Sequence, residues 1–312
     1  MDKKFDENFF YGQLIKGDLN GAIGYLKQFP EQAGLYDRYR SVFEQEHYVT
    51  YDADSWLNKL LTVYQQYYRD VFYLNANAEE AAGRMRDRFA SLLNAADQDM
   101  AFDAMENGLI AEAFRSRSFH FLGGKTGGYY GPYIWKFIET KQYDVELPNG
   151  VQKYTVRFLD GFIAKSWLDY LSFGVVSTGG WSDGDGIINC VKSSYDVESE
   201  SFQVSLLKHE AQHAMDLSAY RNMSSEDLEY RAKLVELIYS GERNLLAQFM
   251  CEAGTENADN GHSRAAERLV EDVSRTLRRS RGELGLLSAG EIRSAAKTLF
   301  AKSNDEIMSK YA

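Results

Sequence analysis

Helical periodicity runs along this chain, stops once and resumes, and that single interruption limits what the chain can fold into. Between Phe119 and Trp135 five glycines stand among aromatic residues (FHFLGGKTGGYYGPYIW). Such a stretch cannot hold a regular helix, because glycine loses more backbone freedom on ordering than any other residue. Two stretches of alternating apolar and polar residues follow, Tyr143 to Leu147 and Gln152 to Leu159, with Pro148-Asn149-Gly150 between them. Asn-Gly supplies the positive φ angles of a tight turn, so the pair predicts a β-hairpin. A short amphipathic stretch over 164–173, a second glycine-rich segment over 177–186 and a strand over Ile187 to Val191 complete the interruption.

On both sides the spacing is helical. Asp18 can cap a helix over Leu19 to Phe29, which Pro30 ends. From Ser55 onward Trp56, Leu60, Leu61, Tyr64, Tyr67 and Tyr68 recur close to a 3.6-residue period, and 78–94 and 97–114 predict two more helices. Beyond Ser199 helices are expected over 201–217, 225–240, 242–254, 263–280 and 289–302. Ser224-x-x-Asp227 and Ser288-x-x-Glu291 mark two of their starts as capping patterns. With only 3 prolines in 312 residues, little breaks these runs. The order is helices, a small antiparallel sheet, then helices again, which is an α+β fold, predominantly helical. The compositional change near Phe119 suggests a helical N-terminal domain over 1–115 and a second domain over 116–312.

Charge and composition exclude several function classes. A net charge of −11 leaves no Lys/Arg stripe able to neutralise a nucleic-acid backbone. The basic run Arg275 to Arg281 falls on a predicted helix with acidic neighbours, which is a solvated face. The N-terminal residues are interrupted by charges and hold no signal-peptide core. No stretch approaches the ~18 apolar residues of a membrane span. These features predict a soluble, cytoplasmic protein that binds neither nucleic acid nor membrane. The two cysteines, Cys190 and Cys251, are then expected as free buried thiols.

Two of the chain's 5 histidines stand in His209-Glu210-Ala211-Gln212-His213. Val204, Leu207, Ala211 and Met215 form an apolar stripe, so the pentapeptide is expected on a helix with one face in the core. Residues four apart there lie one turn above each other, about 5–6 Å between Cβ atoms. Both imidazoles can then reach one Zn²⁺ at about 2.0–2.1 Å. Glu210 projects about 100° around the axis, where it can act on a water as general base without serving as a ligand. A third protein ligand is still needed, with the fourth position left open.

This segment resembles the active-site helix of the zincin metallopeptidases, and the likeness covers residues 199–237. It implies that His209 and His213 are zinc ligands and that Glu210 is the catalytic base. The metzincin branch extends the motif with a glycine and a third His or Asp. Here Asp216 and Ala219 hold those places, so that branch does not fit. The gluzincin branch takes its third ligand, a glutamate, from a following helix. Glu229, with the small Ala232 three residues later, is similar to the Glu-x-x-Ala pattern of those helices. Glu236, seven residues on and on nearly the same side, is the alternative ligand, while Glu226 faces solvent in the first turn. Asp216 could accept a hydrogen bond from a ligand imidazole. Tyr220, Tyr230, His120 and the Tyr129-Tyr130-Tyr133 group are open candidates for the oxyanion donor. The resemblance implies a zinc-dependent metallopeptidase domain over 116–312 acting on a peptide or protein substrate. The rival expectation is a metal-binding regulatory or interaction protein of zincin-like fold without peptidase activity.

Overall fold

A computed structural model describes residues 4–51, 53–97, 99–182, 187–241, 244–253 and 261–311. Helices come first: α1 (Glu7–Ile15), α2 (Leu19–Leu26), α3 (Ala33–Tyr39), α4 (Ser55–Tyr68), α5 (Ala78–Leu93), α6 (Phe102–Met105) and α7 (Ala111–Arg115). Strands β1 (His120–Leu122), β2 (Lys125–Thr126), β3 (Tyr129–Tyr130), β4 (Tyr133–Trp135), β5 (Phe137–Leu147), β6 (Gly150–Asp160) and β7 (Ala164–Lys165) follow. Then come α8 (Ser166–Leu171), β8 (Gly180–Ser182) and β9 (Ile187–Val191). The chain ends in α9 (His209–Ala219), α10 (Ser225–Tyr239), α11 (Asn244–Glu252), α12 (Gly261–Leu277) and α13 (Ala289–Tyr311). The fold is α+β and predominantly helical, as the periodicity predicts.

Two compact units divide the chain: Met1–Phe137 with Asp160–Thr178, and Ile138–Leu159 with Gly179–Ala312. The division does not fall at residue 115. Composition changes there, but burial decides where a core ends. Tyr130, Ile134, Trp167 and Leu171 share one core with Phe10, Tyr64, Phe89 and Phe114. The Tyr39 hydroxyl donates to the Leu171 carbonyl at 2.6 Å. In this first unit β4 lies between β1 and β7, both antiparallel to it. Side-chain caps open its principal helices: Asp6 accepts from the amides of α1, Asp54 from those of α4 and Asn77 from those of α5.

In the second unit the sheet order is β5-β6-β9-β8. β5 and β6 form the expected hairpin across Pro148-Asn149, and β5 begins earlier than alternation suggested, because its residues 137–142 are exposed on both faces. β8 pairs antiparallel with β9, but β9 runs parallel to β6, with Val156 opposite Ile188 and Phe158 opposite Cys190. The sheet is therefore mixed rather than purely antiparallel. A parallel neighbour needs a long crossover, and residues 161–186 provide one. Val145, Val156, Phe158, Ile188 and Cys190 pack on Phe202, Leu206 and Leu207, the residues leading into α9. Both cysteines are free. Burial pushes the Cys190 thiol up to about 12, whereas Cys251 is exposed, contrary to the expectation that both are buried.

The centre of this unit is α10, packed by α9, α12 and α13. Glu229 through Ile238 are buried without a break, although the stretch contains Glu229, Arg231, Lys233 and Glu236. Helix α13 continues to Tyr311, nine residues past the expected end at 302. Ser303 and Ile307 are buried, and the Tyr311 hydroxyl donates to Asp227 at 2.7 Å. Among the described residues no helix is long and apolar enough to cross a membrane.

Candidate metal centre

The approach to α9 is wound as π-helix over Ser201–Lys208 and passes into α-helix at His209 without a break. The apolar stripe sets the orientation: Val204, Leu207 and Ala211 are buried against the core. His209 and His213 then face α10, and both are buried. Their rings stand 4.6 Å apart at 75°. Nε2 of His209 and Nε2 of His213 are 2.9 Å from each other. The Glu229 carboxylate comes to 3.5 Å from the first nitrogen and 3.4 Å from the second. Donors at about 2.0–2.1 Å from a tetrahedral ion stand about 3.3 Å from one another. The three observed separations bracket that value, so the buried His209-His213-Glu229 group fits a metal ion.

Glu236 occupies a different position. Its Oε1 lies 2.7 Å from Nδ1 of His209, on the far side of that ring from Glu229. Glu229, not Glu236, thus completes the convergent set, and Glu236 holds the imidazole from behind. A heptad spacing puts the two carboxylates on one face of α10 two turns apart, and the His209 ring fits between them. Glu226 turns outward to pair with Arg264 at 3.1 Å.

Asp216 does not meet a ligand imidazole. Its carboxylate accepts from Nε of Arg231 at 2.8 Å, with both side chains buried. The same guanidinium donates from Nη1 to Ser303 at 2.7 Å and Asn304 at 2.9 Å. Three residues past His213, the Asp216 side chain meets α10 beyond the metal-facing residues, where an arginine is waiting. This network ties α9, α10 and α13 together. Nδ1 of His213 is buried with no hydrogen-bond partner among the described residues.

The electrostatics favour a cation. Burial alone would lower the pKa of His209, but hydrogen bonds and charge from Glu229 and Glu236 outweigh it and raise the value to about 10. Burial would raise the Glu229 carboxyl, yet His209, His213 and His262 hold it well below the usual carboxylate range. Two carboxylates on one imidazole create the negative potential that a divalent ion requires. Glu210 is half-buried, unlike the histidines it separates by position on the helix.

Two residues near the centre carry no motif. His262, exposed on the first turn of α12, brings Nδ1 to 2.9 Å from Glu229 Oε2. It lies 53 positions beyond His209 in sequence, and only its residue type could have drawn attention to it. Tyr195 is half-buried; its phenol is raised by burial first, then by the charges of Cys190, Glu210 and Glu236. Tyr230 donates its hydroxyl to Asp272 at 2.9 Å, and the Tyr220 ring stands by Tyr311. His120, Tyr129, Tyr130 and Tyr133 belong to the first unit. Of the glycine-rich segment 177–186, residues 183–186 lie outside the described residues. No protein-family profile, curated protein or solved structure matches this chain.

Proposed function

We propose that the chain is a zinc-dependent metallohydrolase of gluzincin type that cleaves peptide bonds. The observation that carries this reading is the convergence of His209 Nε2, His213 Nε2 and the Glu229 carboxylate within 4.8 Å of one another in a buried place. Two imidazoles and one carboxylate form a donor set that suits Zn²⁺ and leave one of four positions for water or substrate. When bound, the ion would supply Lewis acidity toward a carbonyl oxygen and lower the pKa of water. Glu210, beside the ligands but outside their set, would take the proton from the attacking water and deliver it to the leaving amine. Glu236 holds His209 by Nδ1, which would leave Nε2 to serve as the donor to a bound ion. Peptide as substrate follows from the zincin resemblance. It gains support from the position of β8, which ends its sheet among the described residues and packs beside α9.

Metal analysis and one substitution test this reading. The purified protein should carry about one zinc per chain, lost in His209→Ala. Glu210→Gln should keep the zinc and lose cleavage of a peptide library. Protein without metal under mild handling would refute the metal centre. Zinc retained with cleavage unchanged in Glu210→Gln would refute the enzyme and leave a metal-binding regulatory protein.

A further inference from the structure

The second unit has a groove of about 720 Å³ that shares no residue with the metal centre. It lies between the β5–β6 turn, the C-terminal end of α10 and one face of α13. Its apolar surface comes from Leu147, Ile238 and Phe300, all buried, with the half-buried Tyr239 ring beside them. The volume is that of a small-molecule site, and the lining divides about evenly between apolar walls and polar groups that can fix orientation.

Two of the polar groups are cationic, against one acidic side chain and two amides. Arg293 and Lys297 sit one helical turn apart on α13, and both line the groove. Like charges at that spacing repel each other, so the pair needs a reason. Several other cations of this unit have carboxylate partners: Arg231 with Asp216, Lys233 with Glu252, Arg268 with Asp227 and Arg281 with Glu267. Arg293 and Lys297 have no such partner among the described residues. Arg293 gives one Nη2 bond to the Ser240 carbonyl at 3.1 Å, which anchors the guanidinium, while its Nε is buried and unbonded. A third cation, Lys208, stands at the rim. Its ammonium donates to the Glu146 carbonyl at 2.7 Å and lies 4.1 Å from the centre of the Tyr239 ring. The single acidic side chain in the lining, Glu146, is exposed near the end of β5 and leaves the groove with an excess of positive charge in a chain of −11.

We propose that this groove binds a small organic anion, an oxyanion head joined to an apolar body. The head would pair with Arg293 and Lys297, and the body would lie on Tyr239, Phe300 and Ile238. A guanidinium whose other edge is already anchored presents its remaining N–H groups in fixed geometry, which suits a carboxylate or a phosphate. This site stands on its own residues and does not depend on the peptidase reading.

Titration calorimetry on the full chain tests it with four probes: phenylacetate, phenyl phosphate, inorganic phosphate and benzyl alcohol. Phenylacetate or phenyl phosphate should bind, and should bind at least about tenfold more tightly than either inorganic phosphate or benzyl alcohol, since each of those supplies only half of the recognition. Which of the two binds more tightly identifies the head group. Lys297→Gln, an exposed position that carries no packing, should weaken binding about tenfold, and Arg293→Gln at least as much. The retained far-UV spectrum and thermal midpoint of Lys297→Gln keep that arm interpretable even if Arg293→Gln unfolds. Equal binding of inorganic phosphate would mean an ion site only. Equal binding of benzyl alcohol, no binding at millimolar concentration, or unchanged affinity in Lys297→Gln would each overturn the proposal.

Discussion

Replacing Asp216 by Ala should destabilise the protein through Arg231 and leave the proposed metal centre nearly untouched. The pair is 2.8 Å apart and both side chains are 4% exposed. At an effective dielectric of about 20 that separation corresponds to about 6 kcal/mol of attraction. Arg231 keeps Ser303 and Asn304 as acceptors and the Phe300 ring at 4.5 Å, so part of the loss is offset. An uncompensated buried charge then leaves about 3–5 kcal/mol of net destabilisation. Guanidinium unfolding with chelator present reads this without interference from bound metal. In the double variant Asp216→Ala with Arg231→Met the stranded charge is gone, and most of the stability should return. Zinc affinity of the folded Asp216→Ala protein should stay within about threefold of the parent, below the tenfold that loss of a ligand-orienting group causes. A cost under about 1 kcal/mol, or a double variant as unstable as the single one, would refute the buried-pair account. A tenfold or greater loss of zinc affinity at unchanged stability would show instead that Asp216 acts on a ligand.

Two more predictions rest on single carboxylates. Glu236→Gln removes the charge behind His209 Nδ1 and should weaken zinc binding about 10–100-fold in chelator competition; unchanged affinity would mean that Glu236 does not orient the ring. In the first unit Glu106 is fully buried, and burial raises its carboxyl to about 7 against bonds from the Tyr64 hydroxyl and the Gly124 amide. The folded state therefore binds the proton more tightly than the unfolded chain, whose value is 4.5, and stability falls as pH rises from 4.5 to about 7. The fall amounts to about 3 kcal/mol at most. Thermal denaturation across that window should show a flatter pH dependence in Glu106→Gln, and an equally steep fall in the variant would refute the assignment.

The sequence discloses this fold where a local signal and the core agree. Ser224 and Ser288 start their helices as the capping patterns predict, because the cap is a contact within four residues. The hairpin at Pro148-Asn149 is legible for the same reason. The parallel pairing of β6 with β9 is not, since it depends on where a long crossover returns. Helix α13 outruns its periodicity because Tyr311 is fixed by Asp227, 84 positions away. At the candidate metal centre His209 and His213 announce each other by spacing. Glu229 and Glu236 are equivalent by periodicity, and only the position of the His209 ring between them assigns their different contacts. Asp216 stands beside the motif in sequence, but its partner, Arg231, comes from the next helix. His262 and Tyr195 were invisible because a single residue in no pattern carries no local signal.

The interleaving of the two units also sets an order of birth. Residues 138–159 belong to the second unit and are synthesised before residues 160–178, which the first unit still needs. A nascent chain that has just produced the β5–β6 hairpin thus carries no finished unit: β4 still lacks β7, and β6 still lacks β9. Domains ordinarily fold one after another as the ribosome delivers them. Here the hairpin must wait, unsheltered along Val145, Val156 and Phe158, while the first unit closes around it in time. A stall in that interval would expose the apolar face of a two-stranded ribbon, and a fragment ended at 137 would never acquire β7, the strand that completes its sheet.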